Sequence, residues 1–313
     1  MDLSLINKGV RIPSIKVYLG TPRGFCAGVV RAIDVVEIAL ERYAAPVYVK
    51  HEIVHNPYVV KSLEKKGALT VDNVDDIPEG STVIFSAHGS PPDDFVKAKQ
   101  RDLNVIDATC PLVTKVHNEA HKYSKDGRRL ILVGHRGHQE VIGSMGQQPM
   151  HLVDDREEID LPDWDKDTPV TVLTQTTLSV DDTQKAIDEI KGRFNDVEVR
   201  NDLCYATTNR QISVKDLCRY VELVLVIGAP NSSNCNRLRE VAEANGVTAY
   251  LINGPEELVP DWLESIQNVG ITSGASTPDL LVERVINALD PEEVITVKGA
   301  EEDISFVLPL EMR

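Results

Sequence analysis

The amino-acid sequence predicts an α/β fold of three similar lobes, with mostly parallel sheets, around a central cavity. Short runs rich in Val, Ile and Leu alternate with segments of helical periodicity, a pattern typical of parallel α/β layers. A chain of 313 residues is longer than a single core usually requires. Several landmarks also recur three times at nearly constant spacing, which indicates an internal repeat.

The first elements show the alternation. The run IKVYLG predicts a strand, and the residues from Ala27 to about Arg42 predict a helix. The apolar residues of this helix repeat at helical spacing and are Val30, Ile33, Val36 and Leu40. They form one face, so the helix is expected to pack on a sheet. The segments PVYVKHEIV, NPYVVKSLEKKG and TVIFSAHG then predict strand, helix and strand.

Three cysteines occupy equivalent positions in the repeat: Cys26, Cys110 and Cys204. Each precedes a predicted helix and then an apolar strand that ends in a polar cluster. The clusters lie 29, 28 and 28 residues after the cysteines, at His55, His138 and Ser232. A second apolar strand with a polar end follows in each unit, in TVIFSAHGS, VTVLTQTTLS and VGITSGASTPD. Ligands gather at the carboxyl ends of parallel strands, so these polar ends are expected to face one centre.

The repeat divides the chain into three predicted lobes, 15–110, 111–203 and 204–290. Residues 291–313 form an acidic tail outside the repeat. The alternating apolar residues of this tail predict a strand that docks back on the body of the protein.

The composition argues against several classes of function. With 49 acidic and 33 basic residues the net charge is −16, which disfavours nucleic acid as a partner because like charges repel. The N-terminal sequence lacks the apolar core of a signal peptide, and no stretch approaches roughly 18 uninterrupted apolar residues. We therefore expect a cytoplasmic protein that does not enter a membrane. Five cysteines without a Cys-x-x-Cys pair argue against a disulfide framework and a zinc ribbon.

The equivalent cysteines predict one iron–sulfur cluster. Cysteine thiolates are the usual ligands of such clusters, and only three of them leave one iron open to substrate. An open iron polarises a carbon–oxygen bond, while the cluster supplies electrons one at a time. The alternative is three ordinary packed cysteines, but the shared place in the repeat favours ligation. Cys218 is interpreted as a packed thiol, whereas the role of Cys235, after the polar run NSSN, stays open.

The polar strand ends suit an anionic group such as a diphosphate. They supply hydrogen-bond donors without a cluster of Lys or Arg, from His55, His88, Ser232, Ser233, Asn234 and Ser276. The remaining histidines are interpreted as surface or structural residues, namely His51, His117, His121, His135 and His151.

Glu140 is the predicted proton donor. It lies two residues after His138, so in an extended stretch the two side chains share a face. Removal of a hydroxyl as water requires a proton, which a carboxylic acid near an open iron supplies. Thr176, at the equivalent position of VLTQTT, is expected to orient or relay that proton. A glutamate in a loop is usually a solvated surface residue, and only the position of Glu140 in the repeat favours a catalytic role.

The ordered motifs resemble the 4-hydroxy-3-methylbut-2-enyl diphosphate reductase (LytB) family from about residue 17 to 285. The matching segments are GFCAGVVRAI, HEIVHNPYVV, FSAHGSPP, DATCPLVTKVH, GHRGHQEVIGSMGQ, TQTTLSVDDT, NDLCYATTNRQ, GAPNSSNCNRL and GITSGASTPD. The resemblance implies a trefoil of three α/β lobes around a 4Fe-4S cluster with one open iron, held by Cys26, Cys110 and Cys204. It also implies a diphosphate site made of His55, His88, His138, Ser232, Ser233, Asn234 and Ser276. Glu140 and Thr176 would bind the substrate hydroxyl and manage its proton.

The resemblance further implies a two-electron reductive dehydroxylation that yields isopentenyl and dimethylallyl diphosphate, the last step of the methylerythritol phosphate route. A ferredoxin or flavodoxin would supply the electrons. The sequence departs from the family at Cys235, where serine is usual, so Cys235 is a neutral replacement, a weak alternative ligand or a site of oxidation. Two other functions stay open: an iron–sulfur hydratase, which needs no external electrons, and a cluster-based redox sensor.

Overall fold

A computed structural model describes residues 15–200 and 202–313, apart from the side chain of Asp182. Segment 1–14, part of the sequence that lacks a signal-peptide core, lies outside the described residues. The described strands are β1 (Lys16–Gly20), β2 (Val47–Lys50), β3 (Ala68–Val71), β4 (Thr82–Phe85), β5 (Asn104–Asp107), β6 (Arg129–Val133), β7 (Met150–Val153), β8 (Val170–Thr174), β9 (Val197–Val199), β10 (Leu223–Ile227), β11 (Thr248–Ile252), β12 (Asn268–Ser273) and β13 (Glu293–Val297).

The α-helices alternate with these strands, as the periodicity predicted. They are α1 (Ala27–Arg42), α2 (Pro57–Glu64), α3 (Pro92–Gln100), α4 (Pro111–Lys125), α5 (Gln139–Met145), α6 (Val180–Arg193), α7 (Tyr205–Leu217), α8 (Ser233–Ala244) and α9 (Asp279–Leu289). None of the helices in the described part of the chain has the length and apolar character needed to cross a membrane.

Three parallel sheets share one strand order. The orders are β3-β2-β4-β5, β7-β6-β8-β9 and β11-β10-β12-β1, and β13 extends the last sheet beyond β1. In each sheet one strand, β2, β6 or β10, lies between the two strands that follow it in sequence. The fourth strand, β5, β9 or β1, is the one that precedes a cysteine. The threefold repeat of the sequence is therefore also a repeat of topology.

Strand β1 lies in predicted lobe 1 but belongs to the sheet of β10–β12. Val17 pairs with Val269 of β12 on one side and with Val294 of β13 on the other. Both ladders are continuous over β1. The predicted lobe 1 starts at residue 15, so it includes β1 as well as the separate sheet of β2–β5 and does not coincide with one sheet. The tail forms a strand, β13, that pairs with β1, while the lobe boundaries themselves stay a prediction.

The chain forms two compact units. One comprises the described residues up to Cys26 together with Tyr205–Asp303, and it contains the five-stranded sheet. The other comprises Ala27–Cys204 and Ile304–Arg313, and it contains both four-stranded sheets.

The central strands are apolar throughout because both of their faces are covered. In β10, Leu225 belongs to the same core cluster as Val285 of α9, whereas its neighbour Val224 belongs to the cluster of Leu238 of α8 on the opposite face. In the other unit β6 behaves in the same way, with Ile131 facing α6 and Leu132 facing α4 and α5. Each such buried side chain contributes roughly 1.5–3 kcal/mol, so these cores hold the strand ends in place.

Candidate active site

The three equivalent cysteines share one local setting. Cys26 and Cys204 immediately precede α1 and α7, and Cys110 is the N-cap residue of α4. The backbone N–H of each cysteine donates to a carbonyl two residues beyond the end of a strand. These bonds run from Cys26 to Ala275 (3.1 Å), from Cys110 to Ala87 (3.0 Å) and from Cys204 to Thr176 (3.0 Å). The start of a helix stabilises a thiolate, so all three positions suit a metal ligand.

The other two cysteines are packed. Cys235 is fully buried, and a Cβ added to Gly228 or Gly274 would lie only 2.2 Å from its Sγ. The two glycines therefore make room for this thiol, and burial raises its pKa. Burial also raises the pKa of Cys218, which packs beside the same core. Of the alternatives for Cys235, this setting favours a neutral replacement for serine.

Three histidines that follow different strands form one cluster in the unit that contains both four-stranded sheets. His55 follows β2, His88 follows β4 and His138 follows β6. The rings of His55 and His88 stack with centroids 4.0 Å apart, and the ring of His138 lies 5.3 Å and 6.0 Å from them. Among the predicted site residues, this trio is thus brought together.

The electrostatics of the trio suit an anion. Burial, followed by the neighbouring imidazoles, holds the pKa of His88 well below its usual value and lowers that of His138 to about 3. Both rings are therefore neutral at neutral pH. Nδ1 of His138 accepts the N–H of Glu140 (3.2 Å), so the ring proton lies on Nε2 and is available for donation. An approaching anion would raise both pKa values and stabilise the charged rings.

Glu140 and Thr176 form a buried pair. The N–H of Thr176 donates to Oε1 of Glu140 (2.6 Å), and its hydroxyl lies 3.0 Å from Oε2. The carboxyl group lies in the first turn of α5 and the residue is 3% exposed. Burial raises the pKa of Glu140 to about 7, against the opposing effect of the two Thr176 hydrogen bonds. A carboxylic acid with this pKa is suited to donate a proton near neutral pH.

Gly143 belongs to this site and was missed by the sequence analysis. A Cβ at this position of α5 would lie 2.9 Å from the carbonyl oxygen of Gly89, in the loop that carries His88. Gly89 has φ +82°, and a Cβ there would lie 2.8 Å from the ring of His117. The only signal in the sequence is a glycine inside a short helix. His117, interpreted as structural, packs beneath this loop, and burial lowers its pKa to about 4.

The first unit contains the remaining predicted site residues. Ser232 is the N-cap of α8, and Oδ1 of Asn234 accepts the N–H of Ala275 (2.9 Å), so the first turn of α8 contacts the loop after β12. Ser233 and Ser276 are buried beside them. Nδ2 of Asn234 is buried and has no acceptor among the described residues. An unpaired buried donor is costly, and a helix N-terminus favours anions, so this site suits a bound anion.

One further group of possible metal ligands occurs among the described residues. Atoms of His135, Asp154 and Asp155 lie within 4.8 Å of one another. The guanidinium of Arg156 already binds both oxygens of Asp154, at 2.9 and 2.6 Å. This arrangement agrees with the structural role expected for His135.

Known proteins of one family match nearly the whole chain. A family model described as LytB protein matches residues 17–290. The 4-hydroxy-3-methylbut-2-enyl diphosphate reductase 2 of Bradyrhizobium diazoefficiens is 52% identical over 305 residues, which cover 95% of this chain and 99% of that protein. The 4-hydroxy-3-methylbut-2-enyl diphosphate reductase of Zymomonas mobilis is 50% identical over 306 residues, which cover 96% of this chain and 90% of that protein.

A solved structure agrees with the fold. The E-1-hydroxy-2-methyl-but-2-enyl-4-diphosphate reductase from Plasmodium falciparum has a TM-score of 0.91 and 36% sequence identity, covering 96% of this chain and 97% of its own. The likeness extends over all three sheets and confirms the predicted fold class.

Proposed function

Since the chain belongs to the LytB protein family, we propose that it is a 4-hydroxy-3-methylbut-2-enyl diphosphate reductase of the non-mevalonate route to isoprenoids. Its products are isopentenyl diphosphate and dimethylallyl diphosphate. The observation that carries the proposal is 52% identity to a named reductase over 305 residues. The family match, residues 17–290, includes every predicted site residue.

The reaction consumes two electrons and two protons for each product. The allylic carbon–oxygen bond breaks, one proton leaves with the hydroxyl as water, and the other joins carbon. The electrons come from an external one-electron donor of the ferredoxin or flavodoxin class. This requirement separates the reductase from an iron–sulfur hydratase, which uses no reductant.

The donor set of this chain fits an iron–sulfur cluster. Cys26, Cys110 and Cys204 form no disulfide and are partly exposed, and each stands at the start of a helix. Cys218 and Cys235 are packed thiols with raised pKa values. We assign the first three cysteines as the ligands of a 4Fe-4S cluster with one open iron. When bound, such a cluster supplies single electrons and a Lewis-acidic iron for the substrate oxygen.

The diphosphate is bound by two sets of donors. The imidazole N–H groups of His55, His88 and His138 provide one set, and the neutral state of His88 and His138 in the free protein leaves these two rings able to gain charge. The start of α8 provides the other, with the unpaired amide of Asn234 and the hydroxyls of Ser232, Ser233 and Ser276. These groups orient the substrate by its charged end.

Glu140 and Thr176 deliver the proton to the leaving hydroxyl. The Thr176 N–H occupies Oε1 of Glu140, so the acidic proton belongs on Oε2, which lies beside the Thr176 hydroxyl. The threonine hydroxyl accepts this proton and donates its own, which makes it a relay. The low exposure of both residues excludes bulk water from the transfer.

An anaerobic assay with the hydroxylated diphosphate and reduced methyl viologen tests the proposal. We expect both diphosphate products and two equivalents of oxidised viologen for each product molecule. Cys26→Ser, Cys110→Ser and Cys204→Ser should each lose turnover and bound iron. Products formed without consumption of reductant, or full activity in these three variants, would contradict the proposal.

A further inference from the structure

Each helix that follows one of the three cysteines carries a cation in its second turn, five or six residues after the cysteine. Arg31 on α1 and Lys115 on α4 lie five residues after Cys26 and Cys110, and Arg210 on α7 lies six residues after Cys204. This coincidence is separate from the strand and loop landmarks that define the repeat.

Each of these cations binds the segment just before a different cysteine. Arg31 Nη1 donates to the carbonyls of Ala108 (3.1 Å) and Thr109 (3.0 Å), directly before Cys110. Lys115 Nζ lies 3.0 Å from Oδ1 of Asp202, two residues before Cys204. Arg210 Nη2 donates to the carbonyl of Gly24 (2.8 Å), two residues before Cys26. Each contact lies within one of the two compact units.

The three contacts differ in burial and therefore in expected strength. Arg210 is 0% exposed and Arg31 is 8% exposed, whereas the side chain of Lys115 is 48% exposed. A hydrogen bond from a buried guanidinium is stronger than a solvent-screened one. The contacts of the two arginines should therefore restrain the backbone more than that of Lys115.

Residues of the C-terminal tail also bind both arginines. Glu302 forms an ion pair with Arg210 (3.0 Å), and the carbonyl of Val307 accepts from Nε of Arg31 (2.9 Å). The tail therefore gives each arginine a second partner beside the cysteine segment, at Nε of Arg31 and at Nη1 of Arg210. This gives a physical role to residues outside the repeat.

We propose that Arg31, Lys115 and Arg210 are positioning residues that hold the backbone before the three cysteines, with the tail as the outer support of the two arginines. Each cysteine segment is then fixed from two sides. A cation binds the residues before the cysteine, and a strand-end carbonyl binds its own N–H. Such outer contacts keep metal ligands in place, so the thiolates need little reorganisation to bind a cluster. The inference rests on the proposed cluster, but its first test does not need one.

Amide hydrogen exchange of the cluster-free protein tests the positioning directly. Arg31→Met should speed exchange in the peptide containing Cys110 by about tenfold or more, because a charged hydrogen bond is lost. Arg210→Met should do so at Cys26, and Lys115→Met should have a smaller effect at Cys204. Arg42→Met is the matched control, since Arg42 also binds tail carbonyls but no cysteine segment. Exchange equal to that of the control in both arginine variants would overturn the inference.

Variants of the tail provide an independent test of its role. This test still applies if Arg210→Met does not fold. Glu302→Gln should speed exchange near Cys26 alone, whereas a chain ending at Asp303 should do so near Cys110 alone. An unchanged or uniform pattern would contradict the role of the tail.

Cluster release gives the second readout. In protein loaded with iron and sulfide, Arg31→Met and Arg210→Met should lose visible absorbance to an iron chelator about tenfold faster than wild type. Release at the wild-type rate would overturn the link to the cluster. If wild type takes up no cluster, the proposed function fails, while the exchange experiment still decides the positioning role.

Discussion

Glu140 is the residue whose chemistry depends most on its surroundings. An exposed glutamate is ionised at neutral pH, but burial raises the pKa of Glu140 to about 7, so a large fraction keeps its proton. Because this is an acid with a raised pKa, its protonated form prevails below pH 7 and is lost above it. A step that needs this proton should follow the same dependence.

The first prediction concerns Glu140→Gln. Glutamine keeps the shape and an acceptor for the Thr176 N–H but has no acidic proton, so turnover should fall by roughly 10²–10⁴ while substrate still binds. Wild-type turnover should decline as pH rises above about 7, measured as kcat against pH. The exposed Glu283→Gln on α9 is the control and should match wild type. Wild-type kcat in Glu140→Gln would remove Glu140 from the role of acid.

The second prediction concerns the histidine trio. His88 and His138 are neutral in the free protein and should gain charge beside a diphosphate, so binding should take up protons and tighten as pH falls. Calorimetry of isopentenyl diphosphate binding, in buffers of different ionisation heat, measures this uptake. His138→Asn keeps an N-cap residue for α5 and should reduce the uptake. Equal uptake in both proteins would contradict the role of His138.

At the scale of elements, the close contact of α5 with the loop after β4 positions His88. The third prediction is that Gly143→Ala weakens diphosphate binding, because the new Cβ would displace the Gly89 backbone. We expect KM to rise by about tenfold, as for one lost hydrogen bond to a charged group. Gly192→Ala on α6, where nothing lies within 4 Å of the new Cβ, is the control and should keep KM unchanged. An unchanged KM in Gly143→Ala would contradict the contact.

Local elements were the most predictable part of the fold. Helix α1 runs from Ala27 to Arg42 as predicted, because helix hydrogen bonds join near neighbours in sequence. Its predicted apolar face was only partly right: Val36 is buried, but Val30 is 43% exposed. The partner of β1 was not predictable, since apolar composition shows that a strand is buried but not which strands it pairs with. The polar strand ends and the repeat predicted that the histidine trio and the Glu140–Thr176 pair lie at a functional site. Gly143 was not predicted, because its importance depends on the backbone of Gly89, which is distant in sequence but close in the fold.

At the scale of the whole molecule, the tail strand β13 covers the edge of β1. The N–H of Thr21 and its hydroxyl both donate to the carbonyl of Val297 (3.1 Å each), which continues the ladder. Without β13, the backbone groups of β1 would become an open sheet edge, which invites aggregation. The last part of the chain thus stabilises the first described strand.

The fourth prediction compares two shortened chains. A chain ending at Asp290 loses β13 and should melt at a temperature lower by several degrees, at roughly 2–4 °C per kcal/mol of lost stability. A chain ending at Asp303 keeps β13 and should remain closer to wild type. Thermal unfolding and light scattering of the cluster-free proteins measure both effects. Equal melting temperatures and equal scattering of the two chains would show that β13 contributes little.

The position of β1 also bears on the ancestry of the gene. With β1 as the fourth strand of the last sheet, one copy of the repeat ends at the strand before each cysteine, and the next begins with the helix after it. Strand β1 therefore belongs to the third copy, although it precedes the first two copies in sequence. A coding sequence permuted to begin at Ala27, with the β1 segment joined after β12 and α9, would encode three uninterrupted copies. The observed strand order is the one that a tandem triplication would leave after a circular permutation that placed one strand of the third copy before the first copy.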